Sequence, residues 1–397
     1  MIHVNVGLIG CGSRMRDVFR LLQQQSPHIT LVAVCDPSQA SIEKTLQEFA
    51  CETAVTIHQD YHDLARDPNV DWVMIGSWNC FHAEQAIAAF ESGKHVFCEK
   101  PLATTFDDCL AMRKAWQQSG KEFAIGFTLR YSPHYRAIRQ LLCDGLIGEL
   151  VSMEFNETLN ISHGGFIHSD WRRFTENAGP HILEKCSHDI DIAHWLVGSL
   201  PVKVASFGGN RFFTKDNAAT MERARAENPQ WQWMHDYIEN WKAYMQGDLE
   251  PFTAEKDIID HQVAILKFAN GVQATFHTNC AAGIFERRLY LCGTTGTIRA
   301  DVYTGEITAS CFIDEGKRHD YSTTANGGHG GGDDVLAAEL AQVMLEGIRP
   351  PATLLDGLSS AITCFALDEA MRTESVVDLT AWWQRADIAL PGVAAIR

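Results

Sequence analysis

No uncharged apolar run of about 18 residues occurs in the 397-residue sequence, so no segment reads as a membrane-spanning helix. The opening Met1-Ile2-His3-Val4-Asn5-Val6 lacks the basic segment and long apolar stretch of a secretory signal, which makes the cytoplasm the simplest expectation. Basic residues are scarce: 33 Lys and Arg face 50 Asp and Glu, a formal charge of -17, which argues against nucleic acid as a partner. Cys-x-x-Cys pairs are missing although there are 12 cysteines, so neither a zinc nor a dithiol motif is present. Several cysteines, such as Cys35 and Cys98, fall inside expected buried strands and read as reduced core residues. Repeats and low-complexity tracts are also absent.

What remains is a chain with 46% hydrophobic residues, long enough for two or three domains. Up to about Gly126, short β-branched runs alternate with amphipathic stretches, the pattern of βαβ units around a parallel sheet. Strands are expected at Val4 to Ile9, Leu31 to Cys35, Trp72 to Ile75, His95 to Cys98 and Phe123 to Ile125. Helices are expected at Phe19 to Gln25, Ser41 to Phe49, Ala83 to Ser92 and Asp107 to Ser119, which completes a doubly wound domain. Beyond Arg130 the sheet character turns antiparallel. Asn270-Gly271 predicts a hairpin whose two central residues both take positive φ, and Gly293 to Gly296 predicts a second. The fold class is therefore α/β, with a doubly wound parallel domain at 1–128 and an α+β domain with a large, mainly antiparallel sheet at 129–397. Within the latter, 217–247, with Trp231, Trp233 and Trp241, reads as a helical insertion, and 333–374 as closing helices.

Gly10-Cys11-Gly12-Ser13-Arg14-Met15 follows a strand and opens a helix, the context of a dinucleotide fingerprint. Gly10 permits the tight turn, and Gly12 lets a diphosphate approach the helix N-terminus, where Ser13 and Arg14 border it. Met15 stands where the third glycine is usual, so helix and strand are expected to pack slightly further apart. Asp36 ends the second strand, where a carboxylate accepts bonds from ribose hydroxyls and repels a 2′-phosphate, favouring NAD over NADP. The alternative is a turn aspartate before Pro37, and Arg14 nearby can still tolerate the phosphate. Ser77, Asn79 and His82 follow the next strand as candidate contacts to the nicotinamide half, or as a helix cap and a surface histidine.

Glu99-Lys100-Pro101 carries the most chemistry. It sets an ammonium at the carboxyl end of a parallel strand, where open α/β sheets bind their ligands. Lys100 can hold a substrate hydroxyl, stabilise the alkoxide that develops as hydride leaves, and take part in proton transfer, with Glu99 beside the cofactor.

At this point the chain resembles the Gfo/Idh/MocA (glucose-fructose oxidoreductase and inositol dehydrogenase) family over nearly its whole length. The resemblance rests on Gly7 to Gly12, Cys35-Asp36-Pro37, Asn79 to Ala83, His95 to Leu102, Gly126 to Pro133, Ile147-Gly148-Glu149 and Glu184 to Asp191. It implies a Rossmann domain followed by an α/β domain whose open sheet often forms the subunit interface, hence a homodimer or homotetramer. It also implies a nicotinamide lying between Lys100 and a later cluster that usually reads Asp-x-Gly-x-His; here the run is Glu184-Lys185-Cys186-Ser187-His188.

Positions 184 and 188 are one turn apart, so on a continuous helix Glu184 positions the substrate or the imidazole while His188 exchanges the hydroxyl proton. Lys185 offers an alternative contact to an acidic substrate. Arg130 after the last Rossmann strand, with Trp171 and Arg172, are candidate substrate contacts, since a guanidinium suits carboxylate or phosphate groups. His329 in the glycine loop is a further candidate for the substrate mouth. Glu184, His188 and His194 are poorly spaced for a metal, and none is expected. The leading expectation is an NAD-dependent oxidoreductase acting on a secondary alcohol or ketone of a sugar, cyclitol or sugar acid. An enzyme that retains NAD and cleaves or rearranges a glycoside through transient oxidation remains open, as does a non-catalytic dinucleotide-dependent regulator.

Overall fold

The computed structural model describes residues 3–49, 54–227, 250–324 and 328–390. It divides into two compact units, Met1–Ser132 with Gly327–Ala361, and Pro133–Asn326 with Ile362–Arg397. The single expected boundary after residue 128 thus misses a return of the chain to the first unit. The return has a packing cause: the helix Gly332–Glu346 lies against the first helix of that unit. Gly357 in turn sits so close to Ile125 and Leu102 that a Cβ there would stand 2.7 Å from Ile125 Cδ1.

In the first unit, β1 (Val4–Ile9), β2 (Ile29–Cys35), β3 (Thr56–His58), β4 (Trp72–Ile75), β5 (His95–Cys98) and β6 (Phe123–Ile125) form a wholly parallel sheet. Its order is β3-β2-β1-β4-β5-β6, and the crossover direction reverses between β1 and β4. Ligands of such sheets bind at that switch point, beyond the carboxyl ends of the strands. Helices cover both faces, so β4 and β6 are buried at every position and read as continuous apolar runs. The expected strands are present; β3, three residues at an exposed edge, is too short and polar to leave a pattern. Connecting helices are α1 (Ser13–Gln25), α2 (Gln39–Glu48), α3 (Tyr61–Arg66), α4 (His82–Glu91) and α5 (Phe106–Ser119). Their starts follow side-chain caps where the sequence supplies them: Ser38 accepts from Ser41 N, Asp60 from His62 N and Thr105 from Asp108 N.

The second unit holds α6 (Pro133–Cys143), β7 (Leu150–Thr158), α7 (Ile161–Ser169), α8 (Thr175–Ala178), α9 (His181–Glu184), α10 (Ser187–Val197), β8 (Pro201–Gly209) and α11 (Lys215–Glu227). These are followed by β9 (His261–Phe268), β10 (Gln273–Asn279), β11 (Arg288–Gly293), β12 (Gly296–Asp301), β13 (Glu306–Cys311), β14 (Arg318–Asp320) and β15 (Val377–Asp378). The nine strands run β14-β13-β12-β11-β7-β10-β9-β8-β15, antiparallel throughout except for the β7–β10 pair. Period-two burial is clean: Ala264, Leu266 and Phe268 face inward while Val263, Ile265 and Lys267 alternate outward. The outward face is unusually apolar, with Phe207 60% and Ile265 59% exposed. The Asn270-Gly271 hairpin forms, but only Gly271 takes positive φ, at 92°. The turn is one residue longer than expected, and the Asn270 side chain instead accepts from Val272 N. Of the expected insertion, α11 covers the start, while Trp231, Trp233 and Trp241 lie outside the described residues.

Candidate active site

The first half of the candidate site is the loop between β1 and α1. Gly10 takes φ 85°, donates its N–H to the Cys35 carbonyl, and approaches Ser77 N so closely that a Cβ would lie 2.4 Å away. Gly12 is different: its φ is -65°, and a Cβ would meet nothing within 4 Å. It caps α1 without a side-chain bond, and the first turn carries no acid, so the helix N-terminus faces open space with orphan N–H donors. An NAD diphosphate fits that cradle. The missing third glycine is offset elsewhere: fully buried Met15 packs onto Gly76 after β4, where a Cβ would stand 2.7 Å from Met15 Cε. Asp36 accepts from Cys11 N at 2.6 Å and from Ser38 N at 2.7 Å, so it joins the glycine loop to the end of β2 and retains lone pairs for a ribose.

Arg14 points the other way. Its Nε donates to Glu99 Oε1 at 2.7 Å, Nη1 to Asp333 Oδ1 at 2.6 Å and Nη2 to Thr128 Oγ1 at 2.9 Å. The guanidinium therefore serves the β5–β6 side of the sheet, and the idea that it tolerates a 2′-phosphate beside Asp36, just past β2, is corrected: sequence proximity to the loop did not give the side chain's direction. Asp333 also bonds His329 Nδ1 at 2.9 Å, so His329, held at φ 55°, is part of this cluster. Glu99 is buried beside Gly126, whose Cβ would lie 2.8 Å from Glu99 Oε2. Lys100 follows, and the Lys100–Pro101 peptide is cis.

His82 is not the surface histidine of one reading, nor does it turn a ring nitrogen outward. It is 1% exposed, with Nδ1 2.8 Å from the Pro101 carbonyl and Nε2 3.2 Å from the Ser77 carbonyl. Burial lowers its pKa although both carbonyls favour the charged ring. The ring thus lies between the Ser77 carbonyl after β4 and the Pro101 carbonyl of the turn that carries Lys100, and in its neutral form donates to one of the two. Ser77 Oγ donates to Gln85. Asn79 is buried in a short 3-10 turn and does not cap α4, whose N-cap is Phe81. Arg130 is 7% exposed and committed to Asp356 at 2.9 Å and the Pro351 carbonyl, so the structure gives it a tying role within the first unit in place of the expected substrate contact.

In the second unit, the premise of a continuous helix from Glu184 to His188 fails. α9 ends at Glu184, Cys186 leaves helical geometry with φ -107° and ψ 4°, and α10 begins at Ser187. Glu184 and His188 consequently have separate partners. Glu184 pairs with Arg172 at 2.9 Å, Arg172 also reaches Asp170 at 2.8 Å, and its guanidinium lies over Trp171 with 4.2 Å to the ring centroid. Arg172 is thereby an ion-pair centre, with Trp171 as its stacking partner. Lys185 turns inward to Glu157 at 3.2 Å.

His188 is 2% exposed and meets residues the sequence reading overlooked. Arg287 Nη2 donates to His188 Nε2 at 2.6 Å, Arg287 Nε and Nη2 bond Asp189 at 2.6 and 2.7 Å, and Glu157 Oε1 lies 2.8 Å from Nη2. Burial opposes the charge on Glu157, yet Arg287 and Lys185 hold its pKa down to about 2. Burial, joined by the Glu157 charge, pushes Asp189 up to about 7. Glu157, His188 and Asp189 offer donor atoms within 4.8 Å of one another, and the cation they surround is the guanidinium of Arg287. A signal for this cluster existed in the alternation. Glu157 has the parity of buried Met153 and Phe155, and Arg287 that of buried Leu289 and Leu291. Leu289 pairs with Phe155, which brings 287 and 157 alongside one another.

Comparison with known proteins gives the family and the fold. Residues 4–127 match the oxidoreductase family model of the NAD-binding Rossmann fold, and residues 139–379 match that family's C-terminal alpha/beta domain. The inositol 2-dehydrogenase/D-chiro-inositol 3-dehydrogenase of Lactiplantibacillus plantarum is 29% identical over 233 residues, 57% of this chain and 61% of that protein. The inositol 2-dehydrogenase of Salmonella paratyphi B is 34% identical over 196 residues, 49% of this chain and 54% of that protein. A 2,7-anhydro-N-acetylneuraminate hydratase of Escherichia coli K12 is 28% identical over 207 residues, 52% of this chain and 53% of that protein. The chain thus spans 53% to 61% of the length of these relatives. Among solved structures, a levoglucosan dehydrogenase in complex with NADH and levoglucosan gives a TM-score of 0.77 at 21% identity, covering 95% of this chain and all of that one. The myo-inositol 2-dehydrogenase from Lactobacillus plantarum gives 0.70 at 23% identity, covering 95% and 99%. At such identities the likeness shows a shared fold. Both domain models match in order along one chain that carries the glycine loop and the Glu99-Lys100-Pro101 turn, and the chain belongs to the Gfo/Idh/MocA oxidoreductase family.

Proposed function

We propose that this protein is an NAD-dependent dehydrogenase that oxidises a secondary alcohol of a sugar, cyclitol or sugar acid, or reduces the matching ketone. The observation that carries the reading is the placement of Lys100 at the carboxyl end of β5, with neighbouring Glu99 clamped by Arg14 and the following Pro101 carbonyl bonded by His82. Such bracing fixes the backbone from which the Lys100 side chain extends, which limits where a group that must meet a substrate oxygen can reach. Bound NAD would supply the hydride acceptor. Gly10 and Gly12 would admit its diphosphate to the α1 N-terminus, and Asp36 would hold the adenosine ribose and disfavour NADP. Lys100, as a neutral amine, would take the proton of the reacting hydroxyl as hydride leaves and, as the ammonium so formed, hold the developing alkoxide oxygen, and the role proposed for His188 is that of a neutral imidazole donating a hydrogen bond to the substrate.

The test is a polyol, sugar and sugar-acid panel followed by NADH absorbance, with Lys100→Met beside the wild type. Lys100→Met should keep its NAD affinity and lose turnover by on the order of 100- to 10,000-fold; an unchanged rate removes Lys100 from the mechanism. The relative named as a hydratase supports a second reading, in which NAD stays bound and the net reaction is redox-neutral. Sugar cleavage or hydration without NADH release would select it, and NAD binding with no turnover on any substrate would select the regulator.

We also infer a homo-oligomer formed on the outer face of the large sheet, where Phe207, Val263 and Ile265 are 60%, 48% and 59% exposed. Strand parity across β8 and β9 puts these side chains on one face, and a second copy of the chain is the occupant proposed, as the resemblance to the family implies for its open sheet. Ile265→Asp should convert the assembly to a folded monomer on light scattering. A wild-type monomer would sink the inference.

A further inference from the structure

We infer that Arg287 is the positioning residue for His188, holding the imidazole through Nε2 and so fixing the neutral form that carries its proton on Nδ1. The inference deepens the proposed catalytic role of His188 and rests on it for its functional meaning, while the structural claim stands by itself.

Donors and acceptors decide the form of the ring. A guanidinium has five N–H donors and no acceptor, so the nitrogen 2.6 Å from Arg287 Nη2 must offer a lone pair. A neutral imidazole has one lone-pair nitrogen and one N–H; with Nε2 as acceptor, the hydrogen lies on Nδ1. An imidazolium would set N–H against N–H at that distance. The guanidinium itself has little freedom to move away. Its Nε and one Nη2 hydrogen are spent on the two oxygens of Asp189, and the remaining Nη2 hydrogen goes to His188 Nε2 at 2.6 Å, while Glu157 Oε1, 2.8 Å from Nη2, adds an ion pair without a hydrogen bond.

Charge points the same way. The groups facing His188 are Asp189 on α10, Glu157 on β7, Arg287 before β11 and Lys185 between α9 and α10. Tyr135 on α6 and Tyr303 after β12 feel the same charges, and His163 on α7 acts on Glu157. With His188 neutral the ionic groups cancel when Asp189 is ionised, two cations against two carboxylates, and leave one positive charge when Asp189 is protonated. A proton on His188 would add a positive charge to a surrounding that is already neutral or positive, 2% exposed, where burial makes an unbalanced charge costly. The arrangement is also economical in chain terms: Arg287 and Glu157 reach the same point because β11 and β7 are paired, and Asp189 follows His188 directly.

The experiment is nitrogen-15 NMR on full-length protein labelled at histidine, with the His188 signals assigned by their loss in His188→Asn. The expected pattern at pH 7 is a protonated Nδ1 and an unprotonated Nε2. An Nε2–H tautomer or an imidazolium overturns the inference. In Arg287→Met combined with Glu157→Gln, which keeps Asp189 opposite Lys185 and so preserves charge balance, His188 should shift toward the Nε2–H tautomer that free imidazole favours. Arg287→Lys keeps the charge without the fork and should show a partial shift. An unmoved tautomer in the folded double variant would overturn the assignment of Arg287. In kinetics, the double variant should lose at least 10-fold in kcat with KM for NAD unchanged. The two claims separate cleanly: if the tautomer is as expected but His188→Asn keeps full turnover, the catalytic reading of His188 fails and the role of Arg287 as its anchor stands.

Discussion

Replacing Gly12 with alanine tests the cofactor cradle without disturbing the fold. The residue sits at φ -65° and ψ 167°, a region open to any L-amino acid, and a Cβ there finds nothing within 4 Å. Removing a glycine at a compatible site lowers unfolded-state entropy, worth about 0.4–1 kcal/mol. Losing glycine at a helix N-cap costs a comparable amount, up to about 1 kcal/mol. The two nearly cancel, so the midpoint of thermal unfolding should move by no more than about 2–4 °C. Cofactor binding should respond more strongly. A diphosphate displaced by one methyl group forfeits a charge-assisted bond to a helix N–H worth about 1.5–3 kcal/mol, or roughly 10- to 150-fold in Kd. Calorimetric titration with NAD, paired with a thermal melt without cofactor, separates the two effects. Undiminished affinity in the folded variant would refute the assignment of this loop to the diphosphate. Gly10→Ala is the control: with φ 85° and Ser77 N 2.4 Å from the new Cβ, it should lower stability before any ligand is added.

Two further outcomes concern stability. Burial lowers the pKa values of His134, His168 and His181 to about 4 each, so the folded state resists protonation that the unfolded chain accepts near 6.5. Their contribution is whole above about pH 6.5 and is lost as pH falls toward 4, by on the order of 3 kcal/mol per histidine; urea unfolding at pH 7, 5.5 and 4.5 should show the decline, and a flat profile would contradict it. Gly76→Ala drives a methyl group to 2.7 Å from Met15 Cε and should cost about 1–3 kcal/mol. Adding Met15→Ala should relieve part of that loss, so that the double variant is less destabilised than the sum of the singles; strict additivity would mean that the two side chains do not share this space.

How far the sequence reached is clearest at particular residues. Period and length alone delimited β1, β4, β5 and β6, because strands buried on both faces must be short, apolar and bounded by turns. The glycine loop was equally plain, since its local conformation depends on Gly10 and on few distant partners. Lys100 was placed by strand order, a property that sequence pattern reports well. What sequence could not supply was the direction of long polar side chains and the partners they meet. Arg14 lies beside the diphosphate loop in sequence but reaches Glu99, Thr128 and Asp333, the last 319 positions away. Helical spacing put Glu184 over His188, yet the backbone breaks at Cys186 and sends the two to Arg172 and Arg287.

The sequence by itself thus determined the elements, the two-domain order and the chemical groups at the sheet's carboxyl edge, because these follow from local conformational preference and from the period of apolar burial. Tertiary structure alone decided that Gly327–Ala361 returns to the first unit, that His82 is buried between two backbone carbonyls, and that Arg287 bonds His188. Each of these depends on a contact between residues far apart in the chain. An ionic or hydrogen-bonded pairing of that kind is chosen by register, burial and the need to neutralise buried charge, none of which a single segment encodes.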